Sequence, residues 1–151
     1  MAVTARPQAD GLVRQAVVAG SVRLARSDPG AGAPSGVPPV FGPGDGSLAD
    51  CLGDGRRVRV VDFEDSGLSD RPFESAEITG HVGCRVEHPP DAAAFPDRFD
   101  PSRAETARLR ECRRLLALVW LFLPAADDPE NPGNPPGTAG RQADRLSELP
   151  A

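Results

Sequence analysis

The chain has no lysine: its 17 basic residues are all arginine, and 22 Asp plus Glu outnumber them to give a formal net charge of −5. Such an acidic balance lacks the positive field that nonspecific nucleic-acid binding needs, so no nucleic-acid partner is expected. Lysine is also a common point-charge ligand of nucleotide phosphates, and its absence limits what the chain alone offers them. Long apolar runs are missing too. The most apolar stretch, Leu115 to Leu123, falls far short of the ~20 residues a membrane-spanning helix needs, so it is expected in a core and no membrane partner is expected. The opening MAVTARPQADGLVRQ has no apolar stretch leading to a small-residue cleavage site, which makes the cytoplasm the expected location. Only three cysteines occur, Cys51, Cys84 and Cys112. Their odd number and wide spacing fit neither a metal knuckle nor a disulfide framework, so they are expected to be reduced and mostly buried.

What is present is 151 residues, the size of one domain, with 16 glycines and 17 prolines. Branched apolar residues and phenylalanine stand just above the roughly 20% below which chains tend to stay unfolded, so the core is expected to be thin. The spacing of Leu12, Val13, Ala16, Val17, Ala19, Val22 and Leu24 predicts a helix over 8–26, despite Gly20. The following SDPGAGAPSGVPPVFGPGDG, residues 27–46, opposes both helix and sheet and is read as an irregular connection. Three segments result: an N-terminal helix within 1–26, a Gly/Pro-rich loop at 27–42, and a folded domain over 43–151.

Within that domain, a run at 49–52, the turn Gly53-Asp54-Gly55 and valines 58, 60 and 61 predict a β-hairpin with a half-buried face. Residues 66–69 are read as loop, and Asp70 as the cap of a helix over about 71–86 with Pro72 in its first turn. Ser102-x-x-Glu105 is a capping-box signal. It opens a helix whose apolar face is Leu109, Cys112, Leu115, Leu116, Val119, Trp120 and Leu123, ended by Pro124. Thr138 is read as the cap of a last helix through Ala143, Leu146 and Leu149. The fold class expected is α+β, mostly helical around one small hairpin.

Carboxylates flank the hairpin: Asp45 and Asp50 precede its first strand and Asp62 ends its second. A hairpin brings its outer ends together, so Asp50 and Asp62 are candidates to share one Mg²⁺, with Asp45 just outside. The alternative is a set of solvated turn aspartates. The same residues carry a resemblance. PGDGSLAD, residues 43–50, is similar to the H-G-D-x-x-x-x-N loop of the aminoglycoside phosphotransferase family. VVDFEDSG, residues 60–67, resembles its metal-binding strand end, and DRPFESA, residues 70–76, its G-D-x-x-x-D-L-A segment. The arginine-rich stretch 108–123 and NPPGT, residues 134–138, followed by Arg141-Gln142-Ala143, are similar to its C-terminal stretches, so the likeness runs from about residue 40 onward.

This resemblance implies the C-terminal lobe of a kinase-like fold and transfer of the ATP γ-phosphoryl group, with Mg²⁺, to the hydroxyl of a small-molecule acceptor such as an aminoglycoside or sugar. It places Asp45 as catalytic base and Asp62 and Asp50 as metal ligands, with Asp70 and Glu74 as structural acids. The chain departs from the pattern at Pro43 for histidine and Asp50 for asparagine. Gly46 and Ser47, where stiffer residues are usual, predict a loosened loop. No glycine-rich strand-turn-strand precedes residue 40. Three readings stay open: an enzyme completed by an N-terminal lobe encoded upstream, a shortened protein inactive alone, and a noncatalytic binding module that keeps the fold. Self-association through an exposed lobe surface is expected of a shortened form.

Weaker candidates are set aside. His81 and His88 have no partner at ligand spacing and are read as ordinary histidines. Residues 45–55 do not match a calcium loop, and Ser47 has no nucleophile motif. Arg108, Arg110, Arg113 and Arg114 are read as a solvated helix surface.

Overall fold

The computed structural model describes residues 7–24, 36–84, 91, 94–126 and 133–149. Helices α1 (Pro7–Leu24), α2 (Arg71–Gly80), α3 (Arg103–Ala125) and α4 (Thr138–Glu148) accompany strands β1 (Pro39–Gly42), β2 (Cys51–Gly53), β3 (Val58–Val60) and β4 (Gly67–Asp70), an α+β chain that is mainly helical. No described helix is long and apolar enough to cross a membrane. Two compact units divide the chain. One spans Ala31–Leu116; the other is built from α1, α4 and the last part of α3.

In the Ala31–Leu116 unit, β1 pairs antiparallel with β4 from Pro39↔Asp70 to Gly42↔Gly67, and β2 pairs with β3 from Cys51↔Val60 to Gly53↔Val58. The β2–β3 hairpin is where its Asp-Gly turn predicts it. Asp54 Oδ1 accepts from the N–H groups of Arg56 and Arg57 at 2.9 and 2.8 Å, and Gly55 supplies φ 81°. Its surroundings differ from expectation: every residue from Cys51 to Asp65 is exposed, with Val58 at 69% and Leu52 at 54%, so the ribbon projects rather than lying half-buried. The β1–β4 sheet corrects the reading of 27–46 and 66–69 as irregular. Its pairing joins distant stretches rich in Gly, Pro and Ser, and Pro39 is tolerated as the first residue of an edge strand. Residues 25–35 lie outside the described set.

Asp70 ends β4 and caps α2, its Oδ1 accepting from Phe73 N–H at 2.8 Å. The helix stops at Gly80, short of 86; His81 closes it by donating its N–H to the Glu77 carbonyl at 2.8 Å. The capping box of α3 is reciprocal: Ser102 Oγ accepts from Glu105 N–H at 3.2 Å, and Glu105 Oε2 accepts from Ser102 N–H at 2.9 Å. Two ion pairs tie α3 to α2. Arg108 Nε meets Asp70 Oδ2 at 3.1 Å, and Arg71 Nε meets Glu105 Oε1 at 2.9 Å. Ser102's N–H, then Arg71, hold the Glu105 carboxyl below its ordinary value. Arg108 is therefore not part of a solvated surface. Leu109, Cys112 and Leu116 are buried, as are Val37 and Ala76 of the same unit. Burial pushes the Cys112 thiol up to about 12, while Cys51 is exposed, against the expectation of burial; the Cys84 side chain is outside the described set.

Within the second unit α1 packs on α4, and Ala117, Leu118, Leu121 and Ala143 are buried. Val119 and Leu123, expected on the apolar face of α3, are exposed; the stretch from Leu115 to Leu123 is apolar all round, so its periodicity does not say which side is covered. Gly20 does not interrupt α1. It sits beneath Leu118, whose side chain a Cβ there would meet. The helix α3 runs past Pro124 to Ala125: the proline contributes no N–H, but Ala126 N–H still bonds the Phe122 carbonyl at 3.0 Å, so the ladder continues one step beyond it. At α4 the cap position is Gly137 at φ 80° rather than Thr138; Thr138 Oγ1 instead donates to the Pro135 carbonyl at 2.7 Å. Gln142 is fully buried, and neither atom of its amide is hydrogen-bonded to a described residue. A buried unpaired polar group costs about 1–3 kcal/mol, so Gln142→Leu, similar in volume, is expected to raise the unfolding free energy by about 1–2 kcal/mol in urea titrations.

Candidate functional site

The turn 43–47 lies between two supports. On one side is α2: a Cβ on Gly46 would overlap the main chain of Glu77, so only glycine lets the turn approach this closely. On the other is the segment after β3: Gly44, at φ 80°, lies against the Asp65 main chain, and the Phe41 and Phe63 rings stack at 6.3 Å between centroids. The expected loosening at Gly46 and Ser47 is not what the contacts give. Asp45 Oδ1 accepts from Ser47 N–H at 2.8 Å, and Ser47 Oγ accepts from Ala49 N–H at 3.3 Å, so the loop is pinned by its own side chains.

Asp45 is thus held by one oxygen, and its Oδ2 takes no hydrogen bond from a described residue. Its side chain is 44% exposed, an orientation suited to offering the second oxygen to a donor from solution. Asp50 ends the tight turn 48–50, and its carbonyl accepts from Val61 N–H at 2.9 Å. That bond closes the foot of the hairpin, and Asp62 is the residue that follows it in the chain. Asp62 has φ 61°, a left-handed backbone that aspartate tolerates better than most residues and that clusters at functional positions. The segments that carry the three aspartates thus meet at the foot of the hairpin. Among the described residues, no group of three or more His, Cys, Asp or Glu side chains converges as a metal site. Asp70 acts as the helix cap and ion-pair partner described above. Glu74, expected to be a structural acid, is buried under Gly42 with neither oxygen hydrogen-bonded to a described residue.

One neighbour of the site, His81, carries no signal in the sequence. His81 Nδ1 accepts from Gly83 N–H at 3.0 Å, which leaves the neutral ring its proton on Nε2; that nitrogen faces Asp45 Oδ1 at 3.6 Å. No local spacing signals this, because the two residues meet only when the 43–47 turn docks on the end of α2. His88 lies outside the described residues.

Burial lowers the His81 pKa below 6.5, opposed by the charges of Asp45 and Asp50. The unfolded chain then binds the proton more readily, so His81 contributes stability that is intact above about pH 6.5 and is lost as pH falls from there through the depressed folded value. Urea midpoints measured from pH 8 downward are expected to drop across that window, and His81→Gln is expected to flatten the drop. Compared with protein-family models, curated proteins and solved structures, the chain matches none.

Proposed function

We infer that residues 43–76 form the acceptor and metal side of a phosphotransferase site of the kind found in the aminoglycoside phosphotransferase family, acting on a small-molecule hydroxyl with ATP as donor. The observation that carries this reading is the closed hairpin foot. Val61 N–H on the Asp50 carbonyl at 2.9 Å closes the ribbon one residue before Asp62, with the pinned Asp45 turn resting on the same segment, which supports the reading.

Asp45 Oδ2 would accept or orient the acceptor hydroxyl proton as its oxygen attacks the γ-phosphorus, the group being kept in place by Ser47 N–H and flanked by His81. Asp50 and Asp62 would hold Mg²⁺. Two carboxylates suit magnesium, a hard cation that takes oxygen ligands, and neither side chain has a hydrogen-bond or ion-pair partner among the described residues. When bound there, such an ion would supply positive charge to offset that of the phosphates. Aspartate at position 50, where the family pattern has asparagine, adds a negative charge that favours metal and disfavours triphosphate.

A second reading, a binding module without turnover, is favoured by the lack of any lysine to grip phosphates and by Pro43 in place of histidine. Both readings lead to the same first expectation: this chain on its own consumes no ATP with aminoglycoside or sugar acceptors in a coupled assay. Turnover abolished by Asp45→Asn would overturn it. Magnesium titration by calorimetry separates the metal site from solvated turn acids. Weak binding is expected, reduced in Asp62→Ala by about tenfold or more, since even outer partners of metal sites are worth about 10–100-fold. Equal affinity in the variant would remove the site.

A further inference from the structure

The projecting hairpin carries a pattern that the site does not use. Read outward from the Val60–Val61 bond, Arg59 matches Asp62, Arg57 matches Glu64 and Arg56 matches Asp65, each at equal distance from the centre; Val58 matches Phe63. Reversing RRVRVVDFED and inverting its charges returns the same pattern. All ten residues are exposed, and none of the six charges forms an ion pair with a described residue.

The chain cannot satisfy this pattern alone. The arginines sit at the tip of the ribbon and along β3, the acids at its foot; Arg57 to Val60 spans about 10 Å at the strand rise, and a paired ribbon does not fold its tip onto its own base. A second copy can satisfy it. A two-fold contact sets residue i against j and j against i, so a segment that is its own charge complement is what such a contact requires. We propose that the hairpin is a self-recognition surface, on which two copies of this chain pack antiparallel with the arginine tip of each against the acidic foot of the other. Val58, Val60, Val61 and Phe63, 40–69% exposed, lie between the charged ends and are the apolar surface covered. The backbone turn at Asp62, φ 61°, makes this a side-chain contact rather than a continuous β-ladder. A patch of this size gives a weak, salt-sensitive dimer.

Sedimentation velocity from micromolar to near-millimolar protein is expected to show a concentration-dependent dimer that weakens between about 0.05 M and about 0.5 M salt. The pair Arg56→Glu/Arg57→Glu makes both ends acidic, and Glu64→Arg/Asp65→Arg makes both basic; each is expected to be monomeric with an unchanged melting temperature. An equimolar mixture of the two restores both contacts and is expected to associate. A wild-type chain monomeric throughout, either variant dimerising as the wild type does, or a mixture that stays monomeric would each overturn the proposal. Neither pair touches Asp45, Asp50 or Asp62, so the outcome is independent of the metal and phosphoryl-transfer reading.

Discussion

Asp70 is the residue on which the Ala31–Leu116 unit turns. It is the last residue of β4, and so part of the sheet with β1; its Oδ1 caps α2 and its Oδ2 receives Arg108 from α3. At 3% exposure, this carboxylate spends both oxygens on partners from different elements. Beside it Arg71 reaches Glu105, one turn from Arg108, so two adjacent residues of opposite sign at the start of α2 meet two opposite charges on one face of α3. The carboxylates of both pairs are buried while the arginines reach solvent, so each pair contributes modestly, but removing an arginine would leave a buried carboxylate uncompensated. They set the orientation of helices whose apolar contact is small.

That orientation governs the candidate site. With α2 anchored at its N-terminus, its later turns present the Glu77 main chain to Gly46 and, past the last turn, His81 to Asp45. Glycines at 44 and 46 read as flexibility in a linear sequence. In the fold they are the residues that let a turn sit against backbone on two sides, and the turn is correspondingly fixed. Glu74 and Gln142 stand apart as buried polar groups without described hydrogen-bond partners, each a place where stability is lower than the packing would otherwise allow.

The hairpin illustrates the opposite economy. Fifteen consecutive exposed residues with valines, a leucine and a phenylalanine among them gain little from burial within the chain. Their order is nonetheless specific, with the turn set by Asp54 and Gly55 and the charges graded from basic to acidic along the second strand. Elements that do not pack inward keep such order when it serves contacts made outward.

Local chemistry was enough to read much of the chain: the Asp-Gly hairpin, the Asp70 cap with Pro72 behind it, and the reciprocal Ser102–Glu105 box, because each rests on residues a few positions apart or on one tight turn. Pairing of β1 with β4, the pairing of Arg108 with the buried Asp70, the covered side of α3 and the meeting of His81 with Asp45 were decided by the tertiary structure alone. Those contacts join residues far apart in the chain, from Gly42 with Gly67 to Asp70 with Arg108, whose types carry no directional signal. Only the docking of α2 between the 43–47 turn and α3 chooses among partners that are chemically equivalent along the sequence.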